Sequence, residues 1–224
     1  ISNLSVPLLS LVDVALMGHL DSAEYIITIG FGVMIFNFVY WGFGFLRMGT
    51  TGFTAQEFGK KDNRECLLIL GRALLIAVAG ALLLIAFKTP LLKLSLLLIG
   101  TTPEVDAYVA DYFNIRILAA PATISLFAFT GWFFGMQNAR IPMIITIAVN
   151  LINIGFSYWF VRVAGMKSDG VALGTLIAQY CGLILALGFF YKNYRHMLPF
   201  WDRLGLFHIG KMKKFLMANS DIFI

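Results

Sequence analysis

A single carboxylate, Asp13, interrupts the apolar run Ile1–Leu20, which holds no other Asp, Glu, Lys or Arg. An ionisable group in such a run is costly in a bilayer and marks a functional position by default. Asp13 precedes Asp21, the next charge, by eight residues. At ~1.5 Å of helical rise per residue it lies ~12 Å below that boundary. A second group of polar residues repeats at helical spacing. Thr146, Asn150, Asn153 and Ser157 follow one another at steps of 4, 3 and 4 in an uncharged run. At ~100° per residue they share an arc of roughly 60°. A polar stripe on an apolar helix faces protein or water, because lipid offers it no partner.

The same depth count brings further residues to this level. Ser157 and Asn153 lie five and nine residues from Arg162, or ~8 and ~14 Å deep. Thr175 lies six residues past Asp169, ~9 Å deep, and Tyr112 eight past Glu104, ~12 Å. One carboxylate with amide and hydroxyl oxygens at a common depth suits a proton or a sodium ion. Hard cations take oxygen ligands. A desolvated carboxylate has a raised affinity for a proton.

Plainer readings compete. Asn and Ser often join membrane helices by hydrogen bonds, and Asn150 alone fits that role. Arg116 lies ~6 Å deeper than Asp13 by the same count and would serve as its counter-ion. A fixed ion pair would make Asp13 a poor proton carrier. Pro7 and Pro121 fall inside apolar runs, where each removes a backbone hydrogen bond and permits a kink. Pro7, six residues before Asp13, would couple a bend to whatever Asp13 binds.

These residues need helices long enough to hold them at depth. The chain has 224 residues, 59% hydrophobic and 13% charged. Soluble domains run at roughly 45–50% and 25%, so the excess points to an all-α integral membrane protein. About 20 apolar residues cross a bilayer. Six runs qualify: Ile1–Leu20, Ile26–Leu46, Cys66–Phe87, about Asp106–Met136, Ile141–Val161 and Val171–Tyr191. Residues 1–191 are then one six-helix transmembrane lobe, 192–214 a basic linker, and 215–224 the truncated start of a seventh helix. Lys88–Pro103 is short and proline-flanked and reads as an interfacial loop. Leu204–Lys214 reads as a basic amphipathic surface segment. Pro142 suits the first turn of the fifth span. Gly170, Gly174, Ala178, Gly182 and Ala186, at steps of four, form a small-residue ridge for close helix approach.

The net charge of +5 does not indicate nucleic acid, because the basic residues sit between apolar runs. Lys60, Lys61, Arg64, Arg140, Lys192, Arg195, Arg203, Lys211, Lys213 and Lys214 fall in one set of loops. Lys88, Lys93, Arg162 and Lys167 fall in the other. The richer set is expected in the cytoplasm, with both ends of the chain. Arg47 and Arg72, near the cytoplasmic helix ends, are expected to snorkel or to pair with Glu57. Cys66 and Cys181 make no disulfide framework. The start at Ile1 without Met and the end inside an apolar run suggest a fragment of a longer chain.

Three blocks resemble the multidrug and toxic compound extrusion (MATE) family, and within it the DinF-type branch: ISNLSVPLLSLVDVALMGHL at Ile1–Leu20, FLRMGTTGFTAQEFG at Phe45–Gly59, and Gly131–Gln179, from GWFFGMQNARIP through NLINIGFSYWFV to GVALGTLIAQ. YFNIRILAAP at Tyr112–Pro121 fits between them. The resemblance spans nearly this whole chain and about the first half of a family member. It implies a twelve-helix, two-lobe transporter that exports organic, often cationic, compounds in exchange for H⁺ or Na⁺ and needs no cofactor. It implies the coupling-ion role for Asp13, with Asn153 and Thr175 beside it and Tyr112 near the pocket. Many relatives carry a second Asp where this chain has Ser157, which tilts the expectation towards H⁺, although a hydroxyl can ligate Na⁺.

The implied partners are the bilayer of a bacterial plasma membrane, small organic substrates and a C-terminal lobe of the same protein. Two other classes compete. A related transporter of lipid-linked or polar substrates would want a cavity lined with Arg and Lys, against which the uncharged second, fifth and sixth spans speak. A six-span structural protein would not need the apolar start at Phe215. An enzyme is least favoured, because no nucleotide loop, paired acids or metal-binding His pair is present; His19, His196 and His208 are scattered.

Overall fold

The computed structural model describes residues 23–100, 102–206 and 210. The first span, with Asp13 and Pro7, and the start of the seventh lie outside the described residues. Eight α-helices among the described residues carry the bundle, and one short helix follows them: α1 Ala23–Trp41, α2 Gly44–Gly59, α3 Asn63–Ala86, α4 Lys88–Ile99, α5 Pro103–Arg116, α6 Ala120–Gly135, α7 Arg140–Tyr158, α8 Ser168–Tyr194 and α9 Arg203–Leu206. Among the described residues there is no strand. Five stretches among the described residues are long and apolar enough to cross a membrane: Ile27–Gly59, Asn63–Ala86, Pro103–Gly135, Arg140–Val163 and Ser168–Phe200. They match the second to sixth expected spans, and the protein is an all-helical, multi-pass membrane protein.

Two expectations need correction. The second span does not run straight through Ile26–Leu46. It stops at Trp41, turns through Gly42 and Phe43, and resumes as α2 to Gly59. The Phe43 amide donates to the Tyr40 carbonyl at 2.9 Å, an i to i−3 turn in which glycine weakens the helix. Lys88–Pro103 is not a loop throughout, because Lys88–Ile99 is helical. Pro90 is its third residue, among the first four amides that have no intrahelical acceptor, so the missing N–H costs nothing. Gly100 ends α4 in the left-handed conformation, φ +64°, where glycine carries no Cβ penalty. Leu91, Leu92, Leu96 and Ile99 face the bundle while Leu94, Leu97 and Leu98 are exposed.

Close packing follows the small residues. A Cβ on Gly131 would sit 2.4 Å from the Arg47 carbonyl oxygen, so α6 meets α2 backbone to backbone. On α8, Gly174 lets the helix approach the Ser157 backbone of α7, and Gly182 makes room for the Val149 side chain. All five members of the α8 ridge are buried. Trp132, fully buried, needs a partner for its indole N–H; it donates to the Cys66 carbonyl at 2.8 Å and pins α6 to α3.

The fourth span carries its irregularity beside Pro121. Residues Ile117–Ala119 form a 3₁₀ turn between α5 and α6. In 3₁₀ register residue 121 would donate to the Leu118 carbonyl, but proline has no N–H. The Tyr180 hydroxyl of α8 donates to that carbonyl instead, at 3.1 Å. Tyr180→Phe is expected to leave it without this donor and to cost about 1 kcal/mol. The midpoint of thermal unfolding in detergent measures this; an unchanged midpoint would mean that lipid or water serves the carbonyl equally well.

Candidate polar site between the fifth and sixth spans

Helix α7 buries Ile141, Ile145, Val149, Asn153 and Ser157. The last four advance by four residues each, so one ridge begins apolar and ends in an amide and a hydroxyl. This ridge faces α8, whose Gly174 and Ala178 leave room for it. Asn153 is 1% exposed and Ser157 fully buried.

The Asn153 Nδ2 donates to Thr175 Oγ1 at 2.9 Å, and Thr175 Oγ1 donates to the Val171 carbonyl at 3.0 Å. The threonine spends its single proton on Val171, so Asn153 must supply the N–H between them. That orientation turns the amide oxygen elsewhere. Asn153 Oδ1 and Ser157 Oγ are both buried without a hydrogen-bond partner among the described residues. Each such orphan costs ~1–3 kcal/mol. Two lie on one ridge, four residues apart, and a proton donor or a cation would satisfy either. A Cβ on Gly174 would lie 2.5 Å from Ser157 Oγ and 2.8 Å from the Ser157 amide nitrogen. Glycine is therefore the residue that lets α8 approach this hydroxyl. The helix loosens just beyond, where Trp159–Val163 is a π turn and the Ala164 amide reaches the Trp159 carbonyl at 3.1 Å. Such turns recur at functional positions.

The remaining expected residues fall around this centre. Tyr112 is fully buried in a cluster that also contains Val161, Val171 and Ala172. Its hydroxyl accepts a hydrogen bond from Arg116 Nη1. The Arg116 guanidinium also stands 5.2 Å from the Phe36 ring centroid and 5.5 Å from that of Tyr112, an arrangement that stabilises a cation in an apolar setting. Gly32 of α1 makes space for this, since a Cβ there would lie 2.4 Å from Tyr112 Cε1. Asn150 is half-buried, and its Nδ2 lacks a partner among the described residues. Thr146 donates to its own helix, to the Pro142 carbonyl at 2.9 Å. The structure thus joins Asn153 to Thr175 directly, sets Ser157 on the same ridge, and gives Tyr112 and Arg116 to a neighbouring aromatic cluster.

Arg72 departs from expectation. It does not snorkel or pair with Glu57; it is 2% exposed and donates to Glu65 Oε1 at 2.7 Å. Glu57 pairs with Lys60 at 2.7 Å, which holds the lysine above its usual pKa. Arg47 is exposed, as a snorkelling arginine would be.

One feature escaped sequence reasoning. The Lys167 ammonium lies 5.1 Å and 5.6 Å from the ring centroids of Tyr25 and Tyr108. A hydrogen bond to Tyr25, and then the Tyr108 hydroxyl, push its pKa up. These residues lie far apart in sequence, and no local spacing announces them.

Comparison with known proteins adds an independent line. The sequence matches the MatE family over residues 1–159. It is 34% identical over 223 residues to DNA damage-inducible protein F of Escherichia coli strain K12, which spans all of this chain and 49% of that protein. It is 32% identical over 194 residues to multidrug and toxin extrusion protein 1 of Pongo abelii, covering 84% of this chain and 32% of that one. The fold resembles the crystal structure of the eukaryotic MATE transporter AtDTX14 with a TM-score of 0.82 at 16% identity, over 96% of this chain and 48% of that one. The chain therefore spans half or less of the length of these relatives.

Proposed function

This chain belongs to the MatE family, and from that premise we propose that it forms the first lobe of a cation-coupled exporter of organic, cationic compounds. Residues 1–191 are the lobe, 192–214 the cytoplasmic linker, and a second six-helix lobe from the same protein completes the substrate cavity. The protein resides in a bacterial inner membrane with both ends of this segment in the cytoplasm. The observation that carries the proposal is the buried pair of open oxygens, Asn153 Oδ1 and Ser157 Oγ, beside the Asn153–Thr175 hydrogen bond. Oxygen atoms left unpaired at membrane depth are costly in structural terms and useful in ion coupling.

Asp13 is the carrier of the coupling ion, and Asn153, Ser157 and Thr175 receive it. Protonation from the outer side neutralises the carboxylate, changes its partners and bends the first helix at Pro7. The two lobes then alternate between substrate-retaining and substrate-releasing states, because the ion binds those states with different affinity. With Ser157 where a second Asp would stand, the site has one carboxylate and holds Na⁺ weakly. The coupling ion is therefore H⁺. A single protonatable group also fits a site that must empty at each cycle.

Transport by the full-length protein in liposomes tests this, with tetraphenylphosphonium uptake into inverted vesicles followed under separate H⁺ and Na⁺ gradients. Uptake driven by the H⁺ gradient and not by the Na⁺ gradient is expected. Uptake that follows only Na⁺, or neither, would overturn the coupling assignment.

A further inference from the structure

The end of α8 leads through a 3₁₀ turn, Arg195–Phe200, into α9, and this segment is tied back to the start of α3. Arg72 is the centre of the tie. Its Nη1 donates to Glu65 Oε1 and its Nη2 to the Gly205 carbonyl, both at 2.7 Å. Arg64, two turns earlier on α3, pairs with Asp202. Apolar contacts close the same joint. Leu206 is 6% exposed, and a Cβ on Gly71 would lie 2.7 Å from Leu206 Cδ1 and 3.0 Å from Trp201 Cη2. A Cβ on Gly205 would lie 3.0 Å from Leu68 Cδ1.

A guanidinium buried to this degree stays charged, so every hydrogen bond it loses leaves that charge uncompensated at a cost. Pulling Gly205 away from α3 would strip one of them and open a buried cation to the membrane interface. Gly71 and Gly205 allow an interlocked packing that a sliding contact would not need. Resting on the two-lobe reading above, we propose that Arg72 is a positioning residue that fastens the start of the inter-lobe linker to the first lobe. Residues 201–206 then move with α3 as one body, and the hinge between the lobes begins beyond Leu206 rather than at the end of α8. The rocking of the lobes is set by the free length of linker, so fastening its first part shortens that length and fixes its direction.

Spin labels at Gly59→Cys and Phe200→Cys in the full-length protein test this. Gly59 has open space around it and Phe200 is exposed. The expected result is one narrow inter-label distance, the same at pH 5.5 and 7.5, roughly a pH unit either side of the ordinary histidine range, and with or without tetraphenylphosphonium. Arg72→Met is expected to broaden that distribution and lower maximal transport several-fold with KM unchanged. Should Arg72→Met alone fail to fold, the double variant Arg72→Met/Glu65→Met removes both charges of the pair and is expected to show the same broadening. A distance in the otherwise unmodified protein that shifts between conditions, or a distribution that stays narrow without Arg72, would overturn the proposal. Loss of transport in the labelled parent protein with the distance intact would instead count against the transporter reading.

Discussion

Asp13→Asn in the full-length protein is expected to abolish ion-driven export while leaving the protein folded and able to bind substrate. The substitution is nearly isosteric and replaces the carboxylate by a permanently neutral amide that cannot titrate. Driving a two-state equilibrium from 1:99 to 99:1 takes about 5.5 kcal/mol of differential affinity, and a group that cannot exchange its proton supplies none. The drop in initial transport rate is therefore on the order of 100-fold or more. The readout is twofold: uptake of tetraphenylphosphonium under an imposed H⁺ gradient, and its binding at equilibrium without one. Loss of the first with retention of the second is the expected pattern. Rates near those of the unsubstituted protein would show that the coupling ion sits elsewhere. Loss of both would place Asp13 in the substrate site.

Much of this organisation was legible in residue order. The five described spans fall where apolar runs of bilayer length predict them, because a membrane helix has few ways to satisfy its backbone. The step of four along Gly170–Ala186 announced a buried ridge, and all five residues are buried. Depth counting puts Asn153 and Thr175 in the same layer without saying which faces meet, and a hydrogen bond joins them. The failures share a cause. Proline and short length made Lys88–Pro103 look like a loop, but a proline in the first turn of a helix breaks nothing. The break at Gly42 was hidden in an apolar run, since hydrophobicity reports burial in lipid and not backbone continuity. Nearness to the helix end suggests that Arg72 snorkels or pairs with Glu57, and it does neither. Its true partner, Glu65, lies seven residues back on the same face, two turns of helix, where spacing would have found it. The Gly205 carbonyl, 133 residues away, had no such signal.

The second large effect is expected at Gly174. A methyl group there would meet Ser157 Oγ at 2.5 Å and the Ser157 amide nitrogen at 2.8 Å. A side-chain hydroxyl can rotate away, but a backbone nitrogen inside a helix cannot. Gly174→Ala therefore forces α8 and α7 apart along the ridge that carries Asn153 and Ser157. Overpacking of this kind costs about 1–3 kcal/mol, against which alanine recovers up to ~1 kcal/mol of helix propensity. Gly188 of the same helix has nothing within 4 Å of its Cβ position, so Gly188→Ala keeps the propensity gain and meets no clash. Gly174→Ala is expected to lower the unfolding midpoint in detergent and Gly188→Ala to leave it level or raise it. The functional consequence is separable from stability. Spreading the two helices lengthens the Asn153–Thr175 hydrogen bond and frees the amide to turn, so the open amide oxygen is no longer held in place. Coupled export should then fall at least 10-fold, about 1.4 kcal/mol in the coupling equilibrium, at temperatures where the variant is fully folded. A Gly174→Ala protein that transports at the parental rate would mean that the α7–α8 ridge is packing alone and that the coupling ion does not use it.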